Sequence, residues 1–168
     1  MNTRAPEPGP GLTDRIIGLA IKVHRRLGPG LLESIYQECL CWELSQAGME
    51  VRREVPLSIV YETMQFDKGY RADVIVARGV LLELKSVPQL LPVHKAQVLT
   101  YLHLSDCAVA LLINFNCVLL KDGLHRFIAR GGSPLTRAAT PLRDQSEPPA
   151  NWDRALPAGT GPGPAPPP

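Results

Sequence analysis

The sequence predicts an α/β domain, a mixed β-sheet flanked by helices, with elements in the order α-α-β-β-β-α-β-β. Three observations carry this expectation. Apolar residues recur at helical spacing through residues 13–47. Past Gly48 the period drops to two. A further helical stretch, residues 94–104, then separates two β-rich apolar runs at 80–87 and 107–115. Helices laid on the faces of one mixed sheet bury both periodicities.

The first helix is expected over residues 13–27, where Ile17, Ala20, Ile21, His24 and Leu27 share a face and Thr13 and Asp14 supply a start signal. Gly28-Pro29-Gly30 stops it. The second is expected over residues 31–47, with Leu32, Ile35, Tyr36, Cys39, Leu40 and Leu44 on one stripe and Gly48 as its C-terminal cap. Strands follow at 51–61, where Val51, Val55, Leu57 and Ile59 alternate with polar neighbours, and at 70–76 and 80–87, paired as a hairpin through Gly79. Pro88 and Pro92 bracket a loop before the third helix. The run 107–115 reads as a strand buried on both faces. Residues 117–120 and 124–128 read as an edge hairpin through Asp122-Gly123.

Composition bounds the function. The 168 residues hold 18 Lys+Arg and 16 Asp+Glu, a net charge of +2, which excludes a polybasic nucleic-acid coat and an acidic solvating tail. Ten of the 17 prolines lie in residues 131–168 and three more in residues 1–10. The expected organisation is therefore a disordered segment 1–12, one domain over 13–130, and a disordered Pro/Gly-rich tail 131–168. No run approaches the roughly 18–20 apolar residues of a membrane span, and residues 1–11 lack the apolar core of a secretory signal. Cys39, Cys41, Cys107 and Cys117 lack a C-x-x-C spacing and suggest neither a disulfide scaffold nor a zinc site. A cytoplasmic protein is expected. His24 reads as a packed, hydrogen-bonded histidine on an apolar stripe, and His103 and His125 as structural.

The run Val80-Leu81-Leu82-Glu83-Leu84-Lys85 is apolar enough for a central strand yet carries two charges two residues apart. Strand alternation turns Glu83 and Lys85 to one face, opposite Leu82 and Leu84. The preceding strand of the hairpin adds Asp73. Two carboxylates and an ammonium at the end of one hairpin form a hard, oxygen-rich cation site. Such a site suits metal-assisted phosphodiester hydrolysis, with Asp73 and Glu83 holding Mg²⁺ (or Mn²⁺) and Lys85 orienting water or stabilising charge on the phosphate. On the following helix His94, Gln97 and Tyr101 fall at i, i+3 and i+7, a polar face opposite Val98, Leu99 and Leu102, which places Gln97 and Tyr101 along the cleft. Glu33 is favoured by the helix dipole in its first turn and is also available as a third carboxylate. Arg25, Arg26, Arg52, Arg53 and Arg71 are candidates for a local basic patch.

Taken in order, Gly30-x-x-Glu33-x-x-Tyr36, Asp73, Glu83-Leu84-Lys85 and Gln97-x-x-x-Tyr101 resemble the small GxxExxY proteins, a branch of the PD-(D/E)XK nuclease-like superfamily. The resemblance covers residues 13–129. It implies a restriction-endonuclease-like core with Asp73, Glu83 and Lys85 in the nuclease positions. It places Gln97 and Tyr101 in a helical Q-x-x-x-Y element and Glu33 as the first-helix acid. Ala72 stands where the superfamily's name has proline.

The leading expectation is a Mg²⁺- or Mn²⁺-dependent nuclease acting on DNA, or alternatively RNA, with a homodimer engaging both strands as one mode of action. A catalytically silent nucleic-acid-binding or protein-interaction module on the same fold is the second reading. A solvated salt-bridge cluster is the third.

Overall fold

The structure is a computed structural model and describes residues 11–77 and 79–129. Of the expected disordered segments, residues 1–10 of 1–12 and all of 131–168 lie outside the described residues. Two helices, α1 (Leu12–Leu27) and α2 (Glu33–Gln46), precede the hairpin strands β1 (Val51–Tyr61), β2 (Met64–Val76) and β3 (Val80–Lys85). Helix α3 (Pro92–Leu104), β4 (Val109–Asn114), a short 3-10 helix (Leu120–Gly123) and β5 (Leu124–Ile128) follow. The five strands form one sheet in the order β1-β2-β3-β4-β5. All neighbours are antiparallel except β3 and β4, which run parallel from Val80↔Val109 to Lys85↔Asn114. A parallel pair needs a crossover, and α3 supplies it.

The sheet separates two cores. Ile16, Ala20 and Val23 of α1 and Tyr36, Leu40 and Leu44 of α2 lie against Val74, Leu82, Leu84, Leu111 and Ile113. On the other face Val98, Tyr101 and Leu102 of α3 lie against Ile75, Leu81, Ala110 and Leu112. Every residue of β4 is buried, which is why its sequence is apolar without alternation. Fully burying a large side chain such as Phe115 or Leu111 stabilises by about 1.5–3 kcal/mol each. Phe115 stacks on Tyr36 at 4.5 Å and 9°. His24 is buried as expected, its Nε2 hydrogen-bonding the Cys117 carbonyl at 2.8 Å.

Several local expectations are corrected. Helix α1 starts at Leu12 behind a left-handed Gly11 (φ 89°), and Thr13, expected to start it, is buried within it. Its inner face is Ile16, Ala20, Val23 and His24, one step round from the predicted stripe, so Leu27 is exposed. Helix α2 starts at Glu33, not at 31, and Leu32 and Ile35 point outward because Tyr36, Leu40 and Leu44 take the sheet side. Its end follows expectation: Gly48 adopts φ 75°, its N–H reaches the Ser45 carbonyl, and Met49 N–H reaches the Leu44 carbonyl. Strand β2 begins six residues earlier than predicted, since 64–69 turns back along β1 despite the turn-like Asp67 and Gly69. Residues 117–120 form no strand, so the expected edge hairpin is absent and β5 pairs directly with β4.

Candidate catalytic site

The β2–β3 hairpin pairs Val76↔Val80, Ile75↔Leu81 and Val74↔Leu82. One more step of that register would set Asp73 opposite Glu83, but the backbone ladder stops there. The Asp73 carboxylate takes over: its Oδ2 accepts the Leu84 N–H at 2.7 Å. A side chain thus does the work of a strand carbonyl, and this fixes the carboxyl at the C-terminal end of β3.

Leu82 and Leu84 face the α1/α2 layer, so alternation turns Glu83 and Lys85 to the α3 side. Glu83 is 1% exposed. Its Oε1 accepts from the Lys85 ammonium at 2.6 Å, while its Oε2 is buried without a hydrogen-bond partner. Burial, then the neighbouring Asp73 charge, push the Glu83 carboxyl up to about 7 despite Lys85. Burial also raises Asp73, against the Leu84 N–H and Lys85, which lower it. Burial works against the charge on Lys85, yet the bond to Glu83 and the surrounding carboxyls leave its pKa above the ordinary lysine value. The site is a desolvated acid pair held by one ammonium.

Glu33, the first residue of α2, is near enough that its charge raises Asp73, Glu83 and Lys85 alike. Its place depends on the loop before it. The Tyr36 hydroxyl donates to the Gly28 carbonyl at 2.6 Å and accepts the Leu31 N–H at 3.1 Å. Gly30 has φ 98°, a conformation that favours glycine. The glycine and tyrosine of the Gly30…Glu33…Tyr36 motif therefore shape the turn that presents the glutamate.

Gln97 and Tyr101 are brought together, the Gln97 amide donating to the Tyr101 hydroxyl at 2.8 Å. The expectation that both line an open face is corrected for Tyr101. It is 6% exposed and belongs to the α3-side core, edge-on to Tyr70 of β2 at 6.2 Å, whereas Leu99, assigned to the core side, is exposed. An aromatic ring with a hydroxyl at its tip can pack and still offer a polar handle, which a simple polar/apolar division of the helix misses. His94 accepts the Leu91 N–H at its Nδ1 and caps α3. The expected basic patch is partly neutralised, since Arg53 pairs with Glu38 and Arg71 with Glu54.

Two residues near the site are not among those expected from the sequence. Gln37 is a buried amide on the inner side of α2, and Glu54 on β1 has φ 51°. The Gln37 Nε2 donates to both the Asp73 carbonyl (3.2 Å) and Glu54 Oε1 (3.1 Å). A glutamine beside Tyr36 on an apolar stripe was the available clue.

Among the described residues no group of three or more His, Cys, Asp or Glu converges as a metal site. The donor chemistry at Asp73 and Glu83 nevertheless fits a divalent cation: two hard oxygen ligands, both destabilised as anions by burial, one with an orphaned oxygen.

A mixed five-stranded sheet covered by two helices on one face and a crossover helix on the other, with an acid pair and a lysine at the end of a central strand, defines a restriction-endonuclease-like protein. A family model described as the PD-(D/E)XK nuclease superfamily matches residues 10–127, and the chain belongs to that superfamily. No curated protein and no solved structure matches it. Among the described residues no helix is long and apolar enough to cross a membrane.

Proposed function

We propose that this protein is a metal-dependent nuclease of the GxxExxY branch, hydrolysing phosphodiester bonds of DNA. Asp73 and Glu83 hold Mg²⁺ or Mn²⁺. The observation that carries the reading is the Glu83 Oε2 atom, buried in a central strand with no partner beside a second raised carboxyl. Leaving such an atom unsatisfied costs about 1–3 kcal/mol, more when it is charged, and a cation removes that cost. When bound, the metal supplies Lewis-acid polarisation of a phosphoryl oxygen and a more acidic water.

The chain's own side chains supply the rest. Lys85 stays protonated, and its ammonium orients the attacking water or stabilises charge developing on the phosphate. Asp73 is oriented by the hydrogen bond that its carboxylate accepts from the Leu84 N–H. Glu33 adds a third negative charge that keeps Lys85 charged and favours a cation. Gln97, oriented by Tyr101, offers its amide on the α3 side of the sheet, the side to which Glu83 and Lys85 turn.

A catalytically silent nucleic-acid module is the second reading, favoured by the closed Glu83–Lys85 ion pair. Purified protein incubated with single- and double-stranded DNA and RNA in Mn²⁺ or EDTA separates the two. Cleavage that requires Mn²⁺ and disappears in Glu83→Ala and Lys85→Ala supports the enzyme. Cleavage unaffected by either substitution rejects it. In calorimetry Mn²⁺ uptake is expected for the native chain and lost in Asp73→Asn.

A further inference from the structure

Two adjacent strands change faces together at Asp73. Ala72 packs in the α3-side core, whereas Val74, two residues on, packs in the α1/α2-side core. Across the ladder Val51 packs on the α1/α2 side and Val55 on the α3 side. Regular alternation would keep each of these pairs on one face. The switch occurs where Glu54 (φ 51°) faces Asp73, between the regular pairs Arg53↔Val74 and Val55↔Ala72. A left-handed glutamate in a strand is strained and persists only where its surroundings hold it.

Gln37 reaches both departing residues. Its buried amide nitrogen joins α2 to both strands at the switch, donating to the Asp73 main-chain carbonyl and to the Glu54 carboxylate. The other Glu54 oxygen meets the Arg71 guanidinium at 2.6 Å. A glutamine that served packing alone would not need acceptors on two different strands. Here each bond falls on one of the two residues that depart from the ladder. We infer that Gln37, acting with Glu54, is a positioning residue that pins the β1–β2 irregularity, so that the Asp73 carboxyl stays turned onto the Leu84 N–H beside Glu83. The inference rests on the reading of Asp73 as a metal-holding residue, and it adds a supporting pair that the acid–lysine constellation does not contain.

Hydrogen exchange at the Leu84 amide, followed by NMR on the metal-free full-length chain, tests the placement without any reaction. Gln37→Met keeps length and bulk while removing the donor. Glu54→Leu removes the acceptor from a side chain 43% exposed, so it leaves the core intact if the first variant does not fold. Each is expected to speed Leu84 exchange at least about tenfold while Leu81 and Leu82 keep their protection. Glu54→Gln retains an acceptor oxygen and is expected to restore protection. Glu43→Gln, on α2 like Gln37, breaks the ion pair of a buried carboxylate with the half-exposed Lys22 of α1 and is expected to leave Leu84 unchanged. Mn²⁺ affinity should fall roughly tenfold to a hundredfold in Gln37→Met. Leu84 protection that survives both Gln37→Met and Glu54→Leu overturns the inference, as does an equal loss in Glu43→Gln. A native chain that takes up no Mn²⁺ sinks the nuclease reading instead, and Leu84 exchange still decides the positioning role by itself.

Discussion

Replacing Glu83 by glutamine is expected to stabilise the metal-free protein, and to do so in a pH window set by its carboxyl. The folded carboxyl titrates at about 7 against an ordinary value of 4.5. Between these values the folded chain binds a proton that the unfolded chain has released, so stability falls as pH rises through the window. Two and a half pH units correspond to about 3 kcal/mol, a figure of the right order for a side chain this buried. Glutamine keeps an oxygen for Lys85 and carries no charge to desolvate. Urea melts of the native chain and Glu83→Gln, in EDTA at pH steps from 4 to 8.5, give the difference curve. That difference should be near zero at pH 4, grow in favour of the variant to about 3 kcal/mol by pH 8, and flatten there. Subtracting the curves also removes His125, whose pKa is lowered by burial and the nearby Lys95 and which alone would make stability fall below neutrality. A variant less stable than the native chain at pH 8, or a difference that does not change with pH, refutes the claim that the carboxyl is held against its preference. Added Mn²⁺ should reverse the order by stabilising only the native chain.

Tyr36→Phe leaves the Leu31 N–H and Gly28 carbonyl without their partner and keeps the stack on Phe115. It should cost about 1–3 kcal/mol in urea melts and, by loosening the turn before Glu33, weaken Mn²⁺ binding. Lys85→Met removes the ammonium that pairs with a 1%-exposed carboxylate, so metal-free stability at pH 8 should drop by about 3–5 kcal/mol and recover at pH 5, where Glu83 is protonated. Gly48→Ala meets no atom within 4 Å, and its expected cost of about 1–2 kcal/mol comes from the φ of 75° alone.

How much was legible in the sequence differs from element to element. Strand β1 and the Asp73–Glu83–Lys85 hairpin were legible because a period of two and a short turn are local properties, and charges inside an apolar strand are conspicuous. Helix α1 was displaced by one residue because its start is made by a left-handed glycine, not by a capping side chain. Leu32 and Ile35 were assigned inward because α2 is apolar on more than one side, and only the position of the sheet decides which side is covered. Tyr101 was assigned to the cleft for its hydroxyl and sits in the core for its ring. The Gln37–Glu54 contact was invisible because it depends on a backbone switch shared by two strands, which no single-strand pattern encodes.

The two leading helices have a dependence that matters during synthesis. They leave the ribosome before β1, yet the surface they settle on comes from β2, β3 and β4, and from Phe115 and Leu120 beyond them. The sheet-facing stripes of α1 and α2 therefore lack this cover, open to chaperones and proteases, until β4 has been translated, and a nascent chain stalled before β4 would hold the acid pair without the scaffold that keeps it dry.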